Sequence, residues 1–247
     1  MSIRRQERKL ESLKTVLNKL ENGTKVNMTD SEAKVMQHKD KRKLPSYTHE
    51  SAIDGKYGIT TAVQTLNREE HPQDLYELAD ESNKNTGEVH EKVLADSGFC
   101  DYQRLEEAEE KREEEVYMSD KRFQAIETGE TSKGEYDLSK FEIRKNSVVC
   151  PKGYKMELIH TNENFNDGHI VKLYQGKRCT ICPVREKCTR STLRKVAIDS
   201  RYPYQEKMRK KLRTDEGGEI YMRRQAIVEG PHGNDQKNKG WIQHYLR

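Results

Sequence analysis

The sequence predicts an α/β fold, and three features carry that expectation. Short runs of strand-forming residues alternate with polar, helix-compatible stretches. A helical apolar stripe opens the chain, and a one-turn periodicity returns near its end. Apolar material is thin throughout: 32% of the 247 residues are hydrophobic, 36% are charged and the mean hydropathy is −1.11. Any core must therefore be small, and the chain has room for one large domain or two small ones.

Leu10, Leu13, Val16, Leu17 and Leu20 recur at three- and four-residue spacing, the stripe of an amphipathic helix, with Gly23 as its expected C-cap. Strand-like runs at 47–53 and 57–66 flank the turn signal Asp54-Gly55-Lys56. A polar, helix-compatible stretch then leads to Val93, Leu94 and Ala95, a short buried-strand run that ends at Asp96 before a Ser97-Gly98 turn. The glutamate-rich stretch 101–115 reads as a solvated helix and 116–120 as another short strand. From Lys121 the pattern breaks into Gly, Ser, Asn and Asp, as expected of an insert. Tyr204, Met208 and Leu212 restore helical periodicity, which "DEGG" at 215–218 is expected to interrupt before 219–230 resumes it. The expected organisation is a helix at 1–24, a partial core at 25–120, a cysteine-bearing insert at 121–200 and a helical segment at 201–247.

Charge is unevenly spread. Residues 141–247 hold 23 Lys and Arg against 12 Asp and Glu, a net +11, whereas the first 140 residues are net −7. A basic half beside an acidic half suggests a polyanion partner, most simply nucleic acid. No apolar run approaches the ~20 residues of a membrane span. The first 23 residues lack the apolar core of a secretory signal. A cytoplasmic protein without a membrane partner is the expectation.

Five cysteines occur, and Cys150, Cys179, Cys182 and Cys188 form the pattern C-x28-C-x2-C-x5-C. A C-x2-C pair puts two thiolates on one tight turn, and two more sulfurs complete the tetrahedron that Zn²⁺ prefers. Flanking Lys177, Arg178, Arg185 and Lys187 favour thiolate over thiol. A structural Zn²⁺ would hold together an insert with little apolar material. A redox pair and unliganded reduced thiols remain as alternatives, and His160 or His169 could replace one cysteine. Cys100 reads as an ordinary thiol. Among the carboxylates, Asp96 at a strand end and Glu229 on a late helix could together hold Mg²⁺ at a phosphate.

Several stretches in order resemble an insertion-sequence transposase of the DDE type, in the branch whose RNase H-like catalytic domain carries a cysteine-bearing insert. They are "TDSEAKVM" (29–36), "VLADSGF" (93–99), "CPKGYKM" (150–156), "CTICPVREKCT" (179–189), "MRKKLRTDEGGEIYMRR" (208–224) and "VEGPHGNDQKNKGW" (228–241). The resemblance implies an incomplete RNase H-like mixed sheet with a zinc-binding segment inserted in it. It places Asp96 on the second catalytic aspartate and Glu229 on the catalytic glutamate. Arg224 and Lys239 fall where phosphates of DNA are contacted. It implies Mg²⁺ or Mn²⁺ at the carboxylates, and DNA, the insertion-sequence ends, as partner. A metal-activated water would attack a phosphodiester, and the freed 3′-hydroxyl would then attack target DNA.

The sequence departs from the family pattern at several places. No residue fills the role of the first catalytic aspartate: Asp30 lies in a different motif, and Asp54 ends a strand in the wrong context. His232, Asp235 and Gln236 replace an aromatic, an aliphatic and a lysine. The expectation is a transposase-derived chain truncated at its N-terminus and at its C-terminus, inactive alone. It would act with a homo-oligomeric copy or a separately encoded N-terminal half. The alternative is a non-catalytic, zinc-dependent DNA-binding module.

Overall fold

The computed structural model describes residues 3–22, 26–27, 30–37, 41–68, 71–144, 146–163 and 168–237. The chain divides into two units, one of residues 1–90 with 222–247, the other of residues 91–221.

In the first unit the opening stripe forms helix α1, Ile3–Glu21, as its periodicity requires. Val16 is buried, whereas Leu10, Leu13, Leu17 and Leu20 are each about half exposed. The expected cap, Gly23, lies outside the described residues. Strands β1 (Lys34–Gln37) and β2 (Lys43–Ser46) pair antiparallel, with Met36 opposite Leu44. Strands β3 (Thr48–Ile53) and β4 (Thr60–Leu66) pair antiparallel, with Glu50 opposite Gln64. The turn between them is fastened by Asp54, whose N–H donates to the Ile59 carbonyl and whose carboxylate accepts the Lys56 N–H at 3.1 Å. Helix α2 (Asp74–Thr86) buries Leu75, Leu78 and Ala79 on the side that packs against β3 and β4. It ends at Gly87 in the left-handed region (φ +75°), where glycine alone lacks the Cβ clash.

The helix begins on a buried ion pair. Asp74 is fully buried, and its carboxylate takes both outer nitrogens of Arg68 as well as the His71 N–H at 3.0 Å. The Arg68 guanidinium holds the Asp74 carboxyl below the usual carboxylate range, and a negative group in the first turn also suits the helix dipole.

The second unit opens on β5 (Lys92–Ala95), paired in parallel with β6 (Glu115–Met118), Ala95 opposite Met118. Helix α3 (Tyr102–Glu110) connects them and is capped by Asp101, which accepts the Arg104 N–H at 2.7 Å. It is shorter than the expected 101–115, because Glu114 is buried in an ion pair with Arg112 and Glu115 already begins β6. Helix α4 (Phe123–Glu127) and the hairpin β7 (Glu142–Arg144) and β8 (Ser147–Val149) follow. Strands β9 (Met156–Glu163), β10 (Ile170–Gly176) and β11 (Lys195–Asp199) form a three-stranded antiparallel sheet in the order β11-β10-β9. Between β10 and β11 lies the short helix α5 (Arg185–Cys188). Phe141, Val148, Met156, Tyr174 and Val196 make this segment's core, with Cys150 and Cys188 packed against it.

Helix α6 (Tyr202–Arg213) packs on α3 and β6, and α7 (Asp215–Lys237) follows. Here the sequence expectation needs correction. "DEGG" does not interrupt α7 but forms its first turn; the break is one residue earlier, at extended Thr214. The Thr214 hydroxyl accepts the Gly217 N–H at 3.0 Å, and its carbonyl accepts the Gly218 N–H at 2.8 Å. A Cβ on Gly217 would lie 2.1 Å from the Lys211 carbonyl oxygen, so the glycine serves close approach.

Among the described residues the strands make one three-stranded sheet and four separate pairs, one of them parallel. The fold is mixed α/β with small sheets. None of the described sheets is mixed: β5–β6 is parallel and the others are antiparallel.

Replacing Asp74 with Ala should leave Arg68 unpaired and cost about 1–3 kcal/mol at pH 7, read by urea denaturation. Because the folded carboxyl is lowered, its contribution is present above about pH 4, the ordinary carboxylate value, and is lost as pH falls through the lowered value. The gap between wild type and Asp74→Ala should therefore close in acid.

Candidate functional site

The carboxyl ends of parallel strands are where backbone geometry leaves room for a ligand in α/β folds. In the second unit that position belongs to β5 and β6. Asp96 follows β5 directly, is exposed, and accepts the Ser97 N–H with its Oδ1 at 2.5 Å, capping a single 3₁₀ turn. Ser119 and Asp120 follow β6. Tyr221, from the start of α7, ties the two strand ends together: its hydroxyl donates to the Ala95 carbonyl at 3.2 Å and lies 3.0 Å from the Ser119 hydroxyl.

Asp120 is held by Arg209 of α6, which donates Nε at 2.7 Å and Nη2 at 3.0 Å. The same guanidinium donates Nη1 to Glu206 at 2.7 Å, and Glu206 also accepts the Tyr202 hydroxyl at 2.9 Å. Arg209 is buried, and its two carboxylate partners raise its pKa despite that burial. Asp120 is thus spent on an ion pair, whereas Asp96 stays on the surface. Sequence reasoning found Asp96 but missed Tyr221, Asp120 and Arg209. The available signal was Asp120 two residues beyond β6, in parallel with Asp96 one residue beyond β5.

Glu229 lies on α7 in the other unit, exposed and accepting the Gln225 side-chain amide at 2.7 Å. Asp96 and Glu229 therefore fall in different units, and each is described within its own. Arg224 is half-buried on the same helix; Lys239 lies outside the described residues. The side chains of His232, Asp235 and Gln236 are also outside them.

The four spaced cysteines do come to one place. Cys150, Cys179, Cys182 and Cys188 all line one cavity of about 40 Å³, together with Tyr154, Met156 and Arg194. Two turns present them. In the first, the Cys150 carbonyl accepts the Gly153 N–H at 2.8 Å and the Cys150 N–H donates to the Tyr154 carbonyl at 3.0 Å, with Gly153 at φ +79°. In the second, the Cys182 N–H donates to the Cys179 carbonyl at 3.2 Å. Burial raises the Cys188 pKa, and the nearness of Cys179, Cys150 and Cys182 raises it further.

Arg194 completes the wall. Its N–H donates to the Cys179 sulfur at 3.4 Å, and its guanidinium sits 5.7 Å from the Phe141 ring centroid. Among the described residues its buried Nε has no hydrogen-bond partner, and burial lowers its pKa. Neither His160 nor His169 lines the cavity: His160 is exposed on β9, and His169 Nε2 is 3.8 Å from Asp199. Among the described residues, however, no three His, Cys, Asp or Glu side chains are grouped as ligands around one metal position. The thiols share a cavity without a finished ligand shell. Cys100 lies apart from them; burial first, then Asp120 and Asp101, push its thiol up to about 12.

Comparison with known families bears on the later part of the chain. Residues 149–247 match the family described as transposase DDE domain. The matched stretch, about two fifths of the chain, is similar to that family. The matched stretch takes in all four spaced cysteines, both helices α6 and α7, and Glu229. No curated protein and no solved structure matches the chain. Among the described residues no helix is long and apolar enough to cross a membrane.

At pH 8, where the other thiols stand in the cavity wall, Cys100 should resist alkylation by iodoacetamide in the folded chain and react only after unfolding. Mass spectrometry of tryptic peptides would read this, with early modification of Cys100 as the contrary result.

Proposed function

We propose that the chain is a component of DNA strand cleavage and transfer in the transposition of an insertion sequence. Asp96 and Glu229 supply two of the metal-binding carboxylates. The observation that carries this reading is the match of residues 149–247 to the transposase DDE domain, the stretch that contains Glu229. Asp96 fits the role chemically. It is an exposed carboxylate at the carboxyl end of a parallel strand, next to a strand end that Tyr221 and Arg209 hold in place. A divalent ion there would polarise a phosphodiester and lower the pKa of a bound water. The protein's own part is to present the carboxylates and to hold DNA beside them.

No residue of 1–247 is assigned to the first aspartate that the resemblance implies, and two carboxylates hold a metal pair less well than three. The chain alone is therefore expected not to nick DNA. Metal occupancy can be tested without turnover. Fe²⁺ in place of Mg²⁺, with ascorbate and peroxide, should cut the backbone near residues 96 and 229, and Asp96→Asn should remove the cut at 96. The absence of cuts near both residues would count against the assignment. Mn²⁺-dependent nicking by the wild-type chain, lost in Asp96→Ala, would overturn its inactivity alone.

The cysteine cavity fits a structural Zn²⁺ held by Cys150, Cys179, Cys182 and Cys188. The donor set is four thiols, and a tetrathiolate zinc centre carries a net charge of about −2. Arg194, a cation in the cavity wall whose Nε has no hydrogen-bond partner among the described residues, and the backbone N–H aimed at Cys179 both suit such a negative centre. The purified chain should retain one zinc by elemental analysis, and Cys182→Ser should lose it along with thermal stability. A chain that retains no zinc under reducing conditions would return these residues to plain thiols. The non-catalytic DNA-binding alternative has no observation that favours it over the transposase reading.

A further inference from the structure

Several basic side chains of the second unit are committed to carboxylates. Arg104 pairs with Glu107, Arg112 with Glu114, and Arg201 with Asp199. Lys207, Arg209 and Arg213 are held by Glu109, Asp120 and Glu127. Among the cations without an ion pair in the described residues, five gather around one groove. Behind the cysteine cavity, the loop 189–194 between α5 and β11 faces residues 132–133 across a groove of about 950 Å³. Lys133, Lys187, Arg190, Arg194 and Lys195 line it, with Glu186 as the sole carboxylate among its lining residues. None of these five cations forms an ion pair among the described residues, and Lys187, Arg190 and Lys195 are exposed.

Five unpaired cations around one groove repel one another and hold mobile counterions, whose release favours a bound polyanion. The lining adds hydroxyls from the Ser and Thr residues of 189–192, which are donors to phosphate oxygens. It contains no aromatic side chain, and so offers no platform on which unpaired bases could stack. These features select a sugar–phosphate backbone over splayed-out bases. The groove also shares Cys188, Thr189 and Arg194 with the cysteine cavity, so the segment that presents the cations is the one the four thiols organise.

We propose that this groove, formed by Lys133, Lys187, Arg190 and Lys195 on the back of the cysteine cavity, binds the phosphate backbone of duplex DNA without reading its sequence. The ligand class rests on the transposase reading above; the location rests on the unpaired cations.

The test uses the full chain, zinc-loaded, and a fluorescently labelled 30-base-pair duplex of arbitrary sequence, with anisotropy followed across salt concentrations. Each phosphate contact contributes about 0.9 to the slope of log K against log salt. Combining Lys133→Ala, Lys187→Ala, Arg190→Ala and Lys195→Ala should lower the slope by about 3 to 4 and weaken binding at low salt at least tenfold. A charge-matched control with Lys92→Ala, Lys121→Ala, Lys140→Ala and Lys210→Ala removes four exposed cations elsewhere in the unit and should move the slope little. Equal loss in both variants would overturn the groove, because net charge alone would then explain the binding. An unchanged quadruple variant, no duplex binding by the wild type, or tighter binding of single-stranded RNA would overturn it too. Cuts by Fe²⁺ near residue 96 in the groove variant would show that failure of the groove leaves the catalytic reading standing. No cut near residue 96 in the wild-type chain, with duplex binding that the quadruple variant loses, would be the reverse case: the groove would stand and the metal assignment would fall.

Discussion

The second unit hangs on the Arg209 guanidinium. It is buried, and it spends its three nitrogens on Asp120 and Glu206, so one side chain links helix α6 to the end of β6. A buried ion pair of this kind is weak evidence for net stability, because desolvation offsets the attraction, but its directional bonds fix one arrangement over others. Here the arrangement fixed is that of the strand ends. Tyr221 adds the second tie by bonding to Ala95 and Ser119, and Asp96 is the residue next to Ala95. The exposed carboxylate proposed for metal binding thus owes its footing to two side chains that are more than 100 residues further along the chain.

Local elements were legible wherever period and turn chemistry agreed. The hairpin β3–β4, the strands β5 and β6 and the helix α1 stand close to where the runs of Val, Leu, Ile and Thr put them. Where the sequence misled, long-range contact overrode local preference. Two consecutive glycines normally weaken a helix, yet Gly217 and Gly218 lie in the first turn of α7, because Thr214 bonds both of their N–H groups. Arg209 and Tyr221 look like ordinary members of a basic helical stretch, and nothing in their neighbours' spacing announces partners at 95, 119 and 120. A single RNase H-like sheet was an inference from resemblance rather than pattern. The described strands form small separate sheets.

The cysteines show both sides of this. The four thiols line one cavity, and a C-x2-C turn and a Gly153 turn each need only local geometry. Spacing could not foresee Arg194. Its place depends on the pairing of β11 with β10, which brings Lys195 opposite Gln175 and so lays the preceding residue against Cys179. The register of one sheet thereby sets the electrostatics of the cavity on one side and the cationic groove on the other.

The corner between α6 and α7 has a mechanical consequence. With its Cβ position 2.1 Å from a carbonyl oxygen, Gly217 leaves no space for even a methyl group. A hinge requires slack, and this joint has none: the backbone is already in contact on its inner side, and Thr214 braces the next turn from its end. Up to Tyr221, where the tie to the strand ends is made, α6 and the start of α7 therefore behave as a rigid bracket. Strain applied to one arm reaches the carboxyl ends of β5 and β6 instead of being absorbed at the bend.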